Sequence, residues 1–485
     1  MDTTEPKSGR KLIANGILWN SVQLLVNQSF AFIIKLVLAK LLFPEQFGLI
    51  GMAAIFTGFV QILNDLGVGA ALVQRKNEDL SESHYHTAFW AGVIWTTGLF
   101  LIMFLVVAPF AAYFYHQPQL KTIIPVLSLG ILFSSVNMVH KAQLTKSMNF
   151  KKLAFIDNVT NIMSGLIALV MAYAGFGVWA LVFNTVSTVI FAMPFYFKAT
   201  GWLPRFEWSN SAFNDVFGFG IYTTGSNILN YLYNNIDYLL IGKLLGASVL
   251  GIYTLAFVLT DTFRSRIMAV INNVMYPIYG LKQNDTSLLK RYYLKVVQLN
   301  CVVVFPIMLF FIILGMPFIT NIFGAKWVGA VVPLRILAGS VMLHILVSGN
   351  TALLRGVGRP GLEMKLQLVK AAIFLPTLAL GINYAGIEGA AWAILFNKLV
   401  VVVVAQYSFS LIPDFSLTLS DFLGCLKTPL IASLTASAIS VALYYLHLNY
   451  IICAVALFVA YFLTLRFLMK DEFKSYFKGI LNKAA

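Results

Sequence analysis

The apolar residues of this chain come in long runs. Fourteen stretches are long and apolar enough to be membrane spans, each offering the roughly 20 residues that a crossing helix needs. Six lie at roughly 16–43, 47–72, 87–115, 122–144, 152–174 and 177–198. Six more lie at roughly 216–245, 248–278, 292–320, 329–354, 362–384 and 388–411, and two follow at roughly 428–447 and 450–469. Gly and Pro punctuate most joints, as at Phe43-Pro44 and Gly358-Arg359-Pro360.

The polar residues inside these runs are not scattered. Asn20, Gln23, Asn27, Gln28 and Lys35 of the first span fall on one wide stripe at about 100° per residue. Asn227, Asn230, Asn234 and Asp237 of the seventh share a narrower stripe, with Tyr231 and Tyr238 beside it. Thr57, Gln61 and Asn64 align in span 2, flanked by Asp65. Thr254, Asp261, Arg264 and Asn272 align in span 8, with Arg266 off the stripe.

Composition agrees with a membrane protein. The 485 residues are 59% hydrophobic and 11% charged, against about 25% charged in a soluble domain. Cys301, Cys425 and Cys453 lie far apart, so neither a disulfide framework nor a metal site is indicated, and no cofactor is expected. The start, MDTTEPKSGRKL, lacks a signal-peptide cleavage pattern, and the run after it reads as a retained first span.

The net charge of +15 changes the picture only through its distribution. Of the 34 Lys and Arg residues, 24 fall on the loops of one side, from Lys7, Arg10 and Lys11 to Lys474, Lys478 and Lys483. The opposite side has Lys121 and Lys326 in loops, with Lys40 and Lys243 at helix ends. The positive-inside rule puts both termini in the cytoplasm, and an even span count agrees. The basic excess thus fixes topology and touches anionic lipid; it does not indicate nucleic acid.

The sequence also repeats. YAGFGVWALVFN (Tyr173 to Asn184) returns as YAGIEGAAWAILFN (Tyr384 to Asn397), with Trp179 and Trp392 213 residues apart. KLLFPEQFG (Lys40 to Gly48) matches KLLGASVLG (Lys243 to Gly251) at an offset of 203, and IPVLSLG near Pro125 matches VPLRILA near Pro333 at 208. Each half holds six spans, an even number, so both insert with the same orientation as a parallel repeat about the membrane normal. The expected fold is all-α: a polytopic protein of 14 transmembrane helices, with a six-helix lobe at 1–205, a second at 206–412, and two additional helices with a basic cytoplasmic tail at 413–485. Two such lobes suggest a transporter with its site between them, exposed alternately by rocking.

A charge in hydrocarbon costs at least about 2.5 kcal/mol on insertion scales, so it faces a cavity or a partner. Six cations remain inside spans: Lys35, Arg264, Arg266, Arg335, Lys370 and Lys398. The clearest anions are Asp237 and Asp261. Structural roles compete at every position. Lys40 and Lys243 can snorkel to the outer headgroups, Arg264 can pair with Asp261 three residues back, and Lys35 can bridge to Asp237. The Asn and Gln stripes can be interhelical hydrogen-bond glue. Trp179 and Trp392 suit the outer aromatic belt, and His140 and His344 read as isolated, structural residues. The functional reading is a hydrated cavity with a cationic bias, suited to an anionic substrate. Arg offers a fork to phosphate oxygens and Lys a point charge. Tyr231, Tyr233 and Tyr238 could stack on sugar rings, and Asp237 or Asp261 could bind a coupling Na⁺ or H⁺.

At these residues the chain resembles a known family. FGLIGMA (Phe47 to Ala53), NDLGVGAALVQRK (Asn64 to Lys76), NILNYLYNNIDYLLIGKLLGASVLGIY (Asn227 to Tyr253), IFGAKWVGAVVPLRIL (Ile322 to Leu337) and LLRGVGRP (Leu353 to Pro360) are similar, in order, to segments of the polysaccharide transporter family. Within it the chain looks like the Wzx-like flippases of colanic-acid exporter type. The resemblance implies a bacterial inner-membrane protein of the multidrug/oligosaccharidyl-lipid/polysaccharide flippase (MOP) superfamily, moving an undecaprenyl-diphosphate-linked oligosaccharide to the periplasmic leaflet. It implies no individual substrate-binding residue. The residues themselves nominate Lys35 and Arg264 for the diphosphate, then Arg335, Lys370 and Lys398, with Asn27, Asn230, Asn234, Tyr231 and Tyr238 lining the cavity. Expected partners are the lipid-linked substrate, membrane lipids, H⁺ or Na⁺, and polysaccharide polymerase machinery. Competing readings are a membrane-embedded glycan polymerase or ligase, a drug or cation antiporter, and a scaffold that transports nothing. The short outer loops and the absence of a paired acidic motif on them argue against the enzyme.

Overall fold

The computed structural model describes residues 29–64, 68–76, 80–217, 221–283, 285–412, 415 and 417–469. These are helical or connect helices, with no strand among the described residues. The chain forms two compact units, Met1–Gly251 and Ile252–Ala485.

In the first unit, α1 (29–41), α2 (Pro44–Asn64), α3 (Val68–Gln74) and α4 (Glu82–Ile102) are followed by a π turn at Met103–Val107 and by α5 (Ala108–Tyr115). Then come α6 (Leu120–Lys146), α7 (Phe150–Tyr173), α8 (Val178–Thr200) and the short α9 (Asn210–Phe217). α6 is the centre of the packing, touching α2, α3, α4, α5, α7 and α8. α1 lays Ile34, Leu38 and Leu42 against Ala172, Ala180 and Leu181 of the α7–α8 hairpin. The connection after α8 is strapped to α4, where Trp90 donates to the Arg205 carbonyl (2.8 Å), and α9 to the end of α3, where Arg75 bonds Asp215 (2.8 Å).

α10 (Ile221–Leu281) runs from the first unit into the second. The second unit continues with α11 (Thr286–Ile322), a 3₁₀ turn (Ala325–Ala330), α12 (Val331–Ile345), α13 (Asn350–Gly356), α14 (Pro360–Ser410), α15 (Leu419–Tyr445) and α16 (Tyr450–Leu468). α11 packs on α12, α15 and α16, and α12 packs on α14.

Eleven described helical runs are long and apolar enough to cross a membrane. Two of them are broken internally. α10 leaves helical geometry at Gly246 (φ 85°, ψ 177°), and α14 does so at Ala385 and Gly386 (φ 55°, ψ −132°). Each therefore holds two of the expected spans, and α1 is the described part of a further one, which is consistent with fourteen. α16 shows why the solvent must be lipid. Cys453, Leu457, Tyr461 and Leu465 recur every fourth residue and are buried, while the outward face carries Ile451, Ile452, Val455, Val459, Phe462 and Phe467. A helix apolar on all sides but buried on one needs hydrocarbon on the other.

The duplication is written into the backbone. His116 (φ 56°) ends α5, and Gly324 (φ 91°) lies 208 residues later. Met148 (φ 53°) precedes α7, and Gly358 (φ 73°) precedes α14, an offset of 210. Gly177 has φ 58° and ψ −127°, matching Gly386 to within a few degrees at an offset of 209. Gly246 stands 203 residues after Phe43, at the joint of the two KLL segments. Chain reversal needs these conformations, and glycine reaches them without Cβ strain.

Those KLL segments also meet, within the first unit. A Cβ on Gly48 would lie 1.7 Å from the Ala247 carbonyl oxygen, and one on Gly251 would lie 1.7 Å from that of Pro44. Pro44 and Gly48 stand to α2 as Ala247 and Gly251 stand to α10, so the contact is reciprocal. It is a small-xxx-small crossing, in which helices approach backbone to backbone. The α14 hairpin closes similarly, with Gly381 and Gly389 each pointing at the other's carbonyl.

Gly48→Val and Gly251→Val are each expected to cost about 1–3 kcal/mol or more through overpacking, read as a lowered thermal midpoint of the detergent-purified protein. Gly98→Ala and Gly130→Ala add a Cβ with nothing within 4 Å and should not lower the midpoint, Ala being the better helix former. Asp285 caps the N-terminus of α11. Its carboxylate accepts from the Leu288 amide (2.9 Å) and the Ser287 hydroxyl (2.8 Å), the amide first among the bonds that hold its pKa below the usual range. A lowered folded pKa means the cap's contribution is present above the unfolded value and lost as pH falls through the folded one. The midpoint difference between wild type and Asp285→Ala should therefore hold at neutral pH and close in acid.

Candidate functional site

Four helical segments of the second unit bring charge to one place. Past its break, α10 carries Asp261 and Arg264, three residues apart and so on one face. The Arg264 Nε donates to Asp261 Oδ1 (2.8 Å), a second guanidinium nitrogen reaches the same oxygen, and a third approaches Met268 Sδ (3.5 Å). The pair is neither sealed nor free, with side chains 21% and 23% exposed. The Arg264–Asp261 pairing expected from spacing is thus present.

α14 contributes two lysines from opposite arms of its hairpin. Lys370 precedes the Gly381–Gly389 contact by eleven residues and Lys398 follows it by nine. At about 1.5 Å per residue the two arms place them at similar heights. Both are half-buried. α12 supplies His344, whose ring is half-buried and whose Nδ1 is shielded, with no hydrogen-bond partner. Lys398, Arg264 and Lys370 all lie within electrostatic reach of this ring. At the edge stands Glu363, buried and held bidentately by Arg355 (2.6 and 3.0 Å), and it also acts on Lys370.

The expectation that His344 is isolated is therefore corrected. Three of the five nominated cations act on it electrostatically, two of them from α14, which packs on α12. The signal was available in the sequence: Arg264, His344, Lys370 and Lys398 each lie well inside their spans. The cluster has no copy in the first repeat. At the local offsets of 203, 208, 210 and 213 the matching residues are Gln61, Val136, Thr160 and Thr185.

The other nominated residues are placed differently. Arg335 is exposed near the start of α12, nine residues and so about 13 Å from His344 along the axis. Asn27 lies outside the described residues, as do the side chains of Asn227, Arg266 and Asn272. In the first unit, Lys35 and Asn234 are exposed, Asn230 and Tyr238 are half-buried, and Asp237 is buried. Tyr231 uses its hydroxyl on the Ala54 and Ile55 carbonyls of α2 (2.9 and 3.0 Å), lying over Gly58, so it clamps two helices. Lys243 is exposed at the helix end. It donates to the Phe114 carbonyl at the end of α5 and sits 4.8 Å from the Phe114 ring, where a cation meets the negative end of a helix. His140 is structural as expected, bonded to Thr200 Oγ1 (2.8 Å) and packed on Phe197 and Trp202.

One turn along α12 and α14 the environment changes. Leu346, Val347, Val402, Val403, Tyr407 and Phe422 line part of an apolar cavity of about 1110 Å³. Among the described residues no group of His, Cys, Asp and Glu is arranged to hold a metal ion.

Apolar helices in a twofold-repeated plan, with a charged cluster amid the spans of one repeat, define a multi-pass membrane protein of the transporter type. The fold is that of the lipid II flippase MurJ in its inward closed conformation (TM-score 0.69, 12% identity, covering 94% of this chain and 100% of that one). It is also similar to an inward-facing multidrug resistance MATE family transporter of the MOP superfamily (TM-score 0.58, 16% identity, 83% and 100%). Residues 37–332, more than half of the chain, match the family described as "Polysaccharide biosynthesis protein", and the chain belongs to that family. Relatives include the teichuronic acid biosynthesis protein TuaB of Bacillus subtilis (26% identical, 86% of each chain). The lipopolysaccharide biosynthesis protein WzxC of Escherichia coli is 24% identical (90% of this chain, 88% of the other). The succinoglycan biosynthesis transport protein ExoT of Rhizobium meliloti is 23% identical (82% and 80%).

If the cluster borders water, cysteines placed there must react with an anionic, membrane-impermeant thiol reagent. Lys370→Cys and Lys398→Cys, in a background with Cys425 replaced by Ser, are expected to label at least about tenfold faster than Val455→Cys on the outward face of α16, because a thiolate forms in water and beside cations. Equal and negligible labelling of all three would mean that the cluster is sealed in dry packing.

Proposed function

We propose that the protein is a flippase that carries an undecaprenyl-diphosphate-linked oligosaccharide, precursor of an exopolysaccharide or O-unit, from the cytoplasmic to the periplasmic leaflet of a bacterial inner membrane. The observation that carries this reading is a cationic cluster lying one helical turn from an apolar cavity. Arg264, Lys370 and Lys398 suit a diphosphate. The cavity past Leu346 and Val402 suits a hydrocarbon tail, which gains by staying out of water. The kinship with a succinoglycan biosynthesis transport protein and the fold shared with a lipid II flippase support the same substrate class. In this reading both termini are cytoplasmic, residues 1–205 and 206–412 are the repeated lobes that rock in alternating access, and 413–485 adds two helices and a basic tail. Lys35, Asn230 and Asn234 furnish a further polar surface in the first unit. Asp237 or Asp261 takes a coupling Na⁺ or H⁺, and polymerase machinery consumes the product.

The test is flipping of the lipid-linked oligosaccharide by protein in proteoliposomes. Arg264→Gln, Lys370→Gln and Lys398→Gln are each expected to slow it about tenfold, equivalent to ~1.4 kcal/mol, while Lys121→Gln at the start of α6 leaves it unchanged. Undiminished transport in all three cluster variants would eliminate the site. Export of hydrophobic cations without any need for the sugar lipid would instead favour an antiporter.

A further inference from the structure

Residues 202–209, between α8 and α9, lie across the first turns of α4 and are fixed there by hydrogen bonds. Trp202 Nε1 donates to the Glu82 carboxylate (3.0 Å) and Trp90 Nε1 to the Arg205 carbonyl (2.8 Å). The Arg205 amide donates to His86 Nδ1 (3.0 Å) and the Ser209 amide to Thr87 Oγ1 (3.0 Å). Held in this way, the segment and α4 form a groove of about 360 Å³, with Trp90, Ile94, Thr97, Phe206, Glu207 and Trp208 among its walls. Its neutral polar groups are already spent: Trp90 Nε1 on Arg205, Trp208 Nε1 on Asn210 Oδ1 (2.8 Å) and Thr97 Oγ1 on the Val93 carbonyl (2.7 Å). What remains is a set of aromatic faces, with the Trp90 and Phe206 ring centroids 4.8 Å apart, and one ionisable group, the Glu207 carboxylate. Phe206 is 91% exposed and Trp208 48%, so the groove opens outward.

Aromatic faces beside a carboxylate attract a cation and oppose an anion. The helical wall narrows the choice of cation. Trp90, Ile94 and Thr97 belong to a stripe of α4 that continues through the exposed Leu101 and Leu105, an apolar face that needs hydrocarbon against it. A ligand that meets both surfaces carries a cationic head on an apolar body. Arg205, exposed two residues before Glu207, supplies the opposite charge for a phosphate. Tryptophans near the end of a span also stand where membrane proteins meet lipid headgroups. We propose that this groove is a binding site for an aminophospholipid of the phosphatidylethanolamine type. The ammonium lies among Phe206, Trp208 and Glu207, the phosphate faces Arg205, and an acyl chain follows Ile94 and Leu101. This lipid is distinct from the transported substrate. The groove is formed before the lipid arrives, because the bonds to α4 already fix its wall, so little ordering cost falls on binding. Residues 202–209 lie between the two sequence repeats, and the lipid ties that connection to the membrane surface.

The experiment is native mass spectrometry of the full chain, delipidated in detergent and titrated with phosphatidylethanolamine or with phosphatidylglycerol of the same acyl chains. Wild type is expected to bind the first lipid about fivefold more tightly, the scale of an exposed cation–π contact. Glu207→Gln and Phe206→Leu, both at exposed positions, should each abolish that preference. Tyr384→Leu, which removes an exposed aromatic of α14, should keep it. Equal affinities in wild type, the result if a peptide segment or water fills the groove, overturn the proposal. So does a preference that survives in either groove variant, or one that Tyr384→Leu loses as well. Thermal midpoints without added lipid check folding; should Phe206→Leu not fold, Phe206→Met takes its place.

Discussion

Hydrocarbon offers no hydrogen bonds, and that absence organises this chain. Each backbone amide and carbonyl must be satisfied within its own segment, and the described residues, which contain no strand, meet this with helices. The helices therefore run long, and the chain departs from them at few places. Where it must reverse, it uses left-handed or extended residues: His116, Met148, Gly177, Gly246, Gly324, Gly358 and Gly386. The same scarcity of partners explains Lys243, which ties its ammonium to the carbonyl end of α5, and Tyr231, which donates to two carbonyls of α2.

Helices in lipid gain little from apolar burial against one another, so close approach has to come from shape. The reciprocal contact of Gly48 with Ala247 and of Gly251 with Pro44 is such a shape. It exists because a duplicated sequence supplies the same small-xxx-small surface twice. The α14 hairpin uses Gly381 and Gly389 in the same way, and Ala172 and Ala180 occupy one buried cluster in the first-half hairpin. Duplication thus gave the joints and the crossing, and later divergence could load one half with charge while leaving both scaffolds intact.

That loading is what makes the second unit chemically distinct. Arg264, Lys370 and Lys398 act electrostatically on His344, while Asp261 pairs with Arg264 and Glu363 acts on Lys370. A cluster of this sign amid spans costs free energy unless water or an anion meets it. The adjoining cavity, walled by Leu346, Val402 and Phe422, is its opposite in character. A headgroup and a tail with opposite solvation needs fit such a boundary.

Much of this was legible without coordinates, and the reason is the bilayer. A span declares itself by length and apolarity alone, so the fourteen runs, the twofold repeat and the Arg264–Asp261 pair follow from local spacing. The repeated phrases even marked where the backbone would turn. What the sequence did not determine was which intramembrane charges share a neighbourhood. Lys370, Lys398, His344 and Arg264 lie up to 134 residues apart along the chain, and no periodicity on one helix reports the height or facing of another. Helix crossings and a glycine-closed hairpin made that decision. They took Arg335, which looks equivalent on paper, to the far end of α12, and they left His344 within electrostatic reach of three cations from other segments.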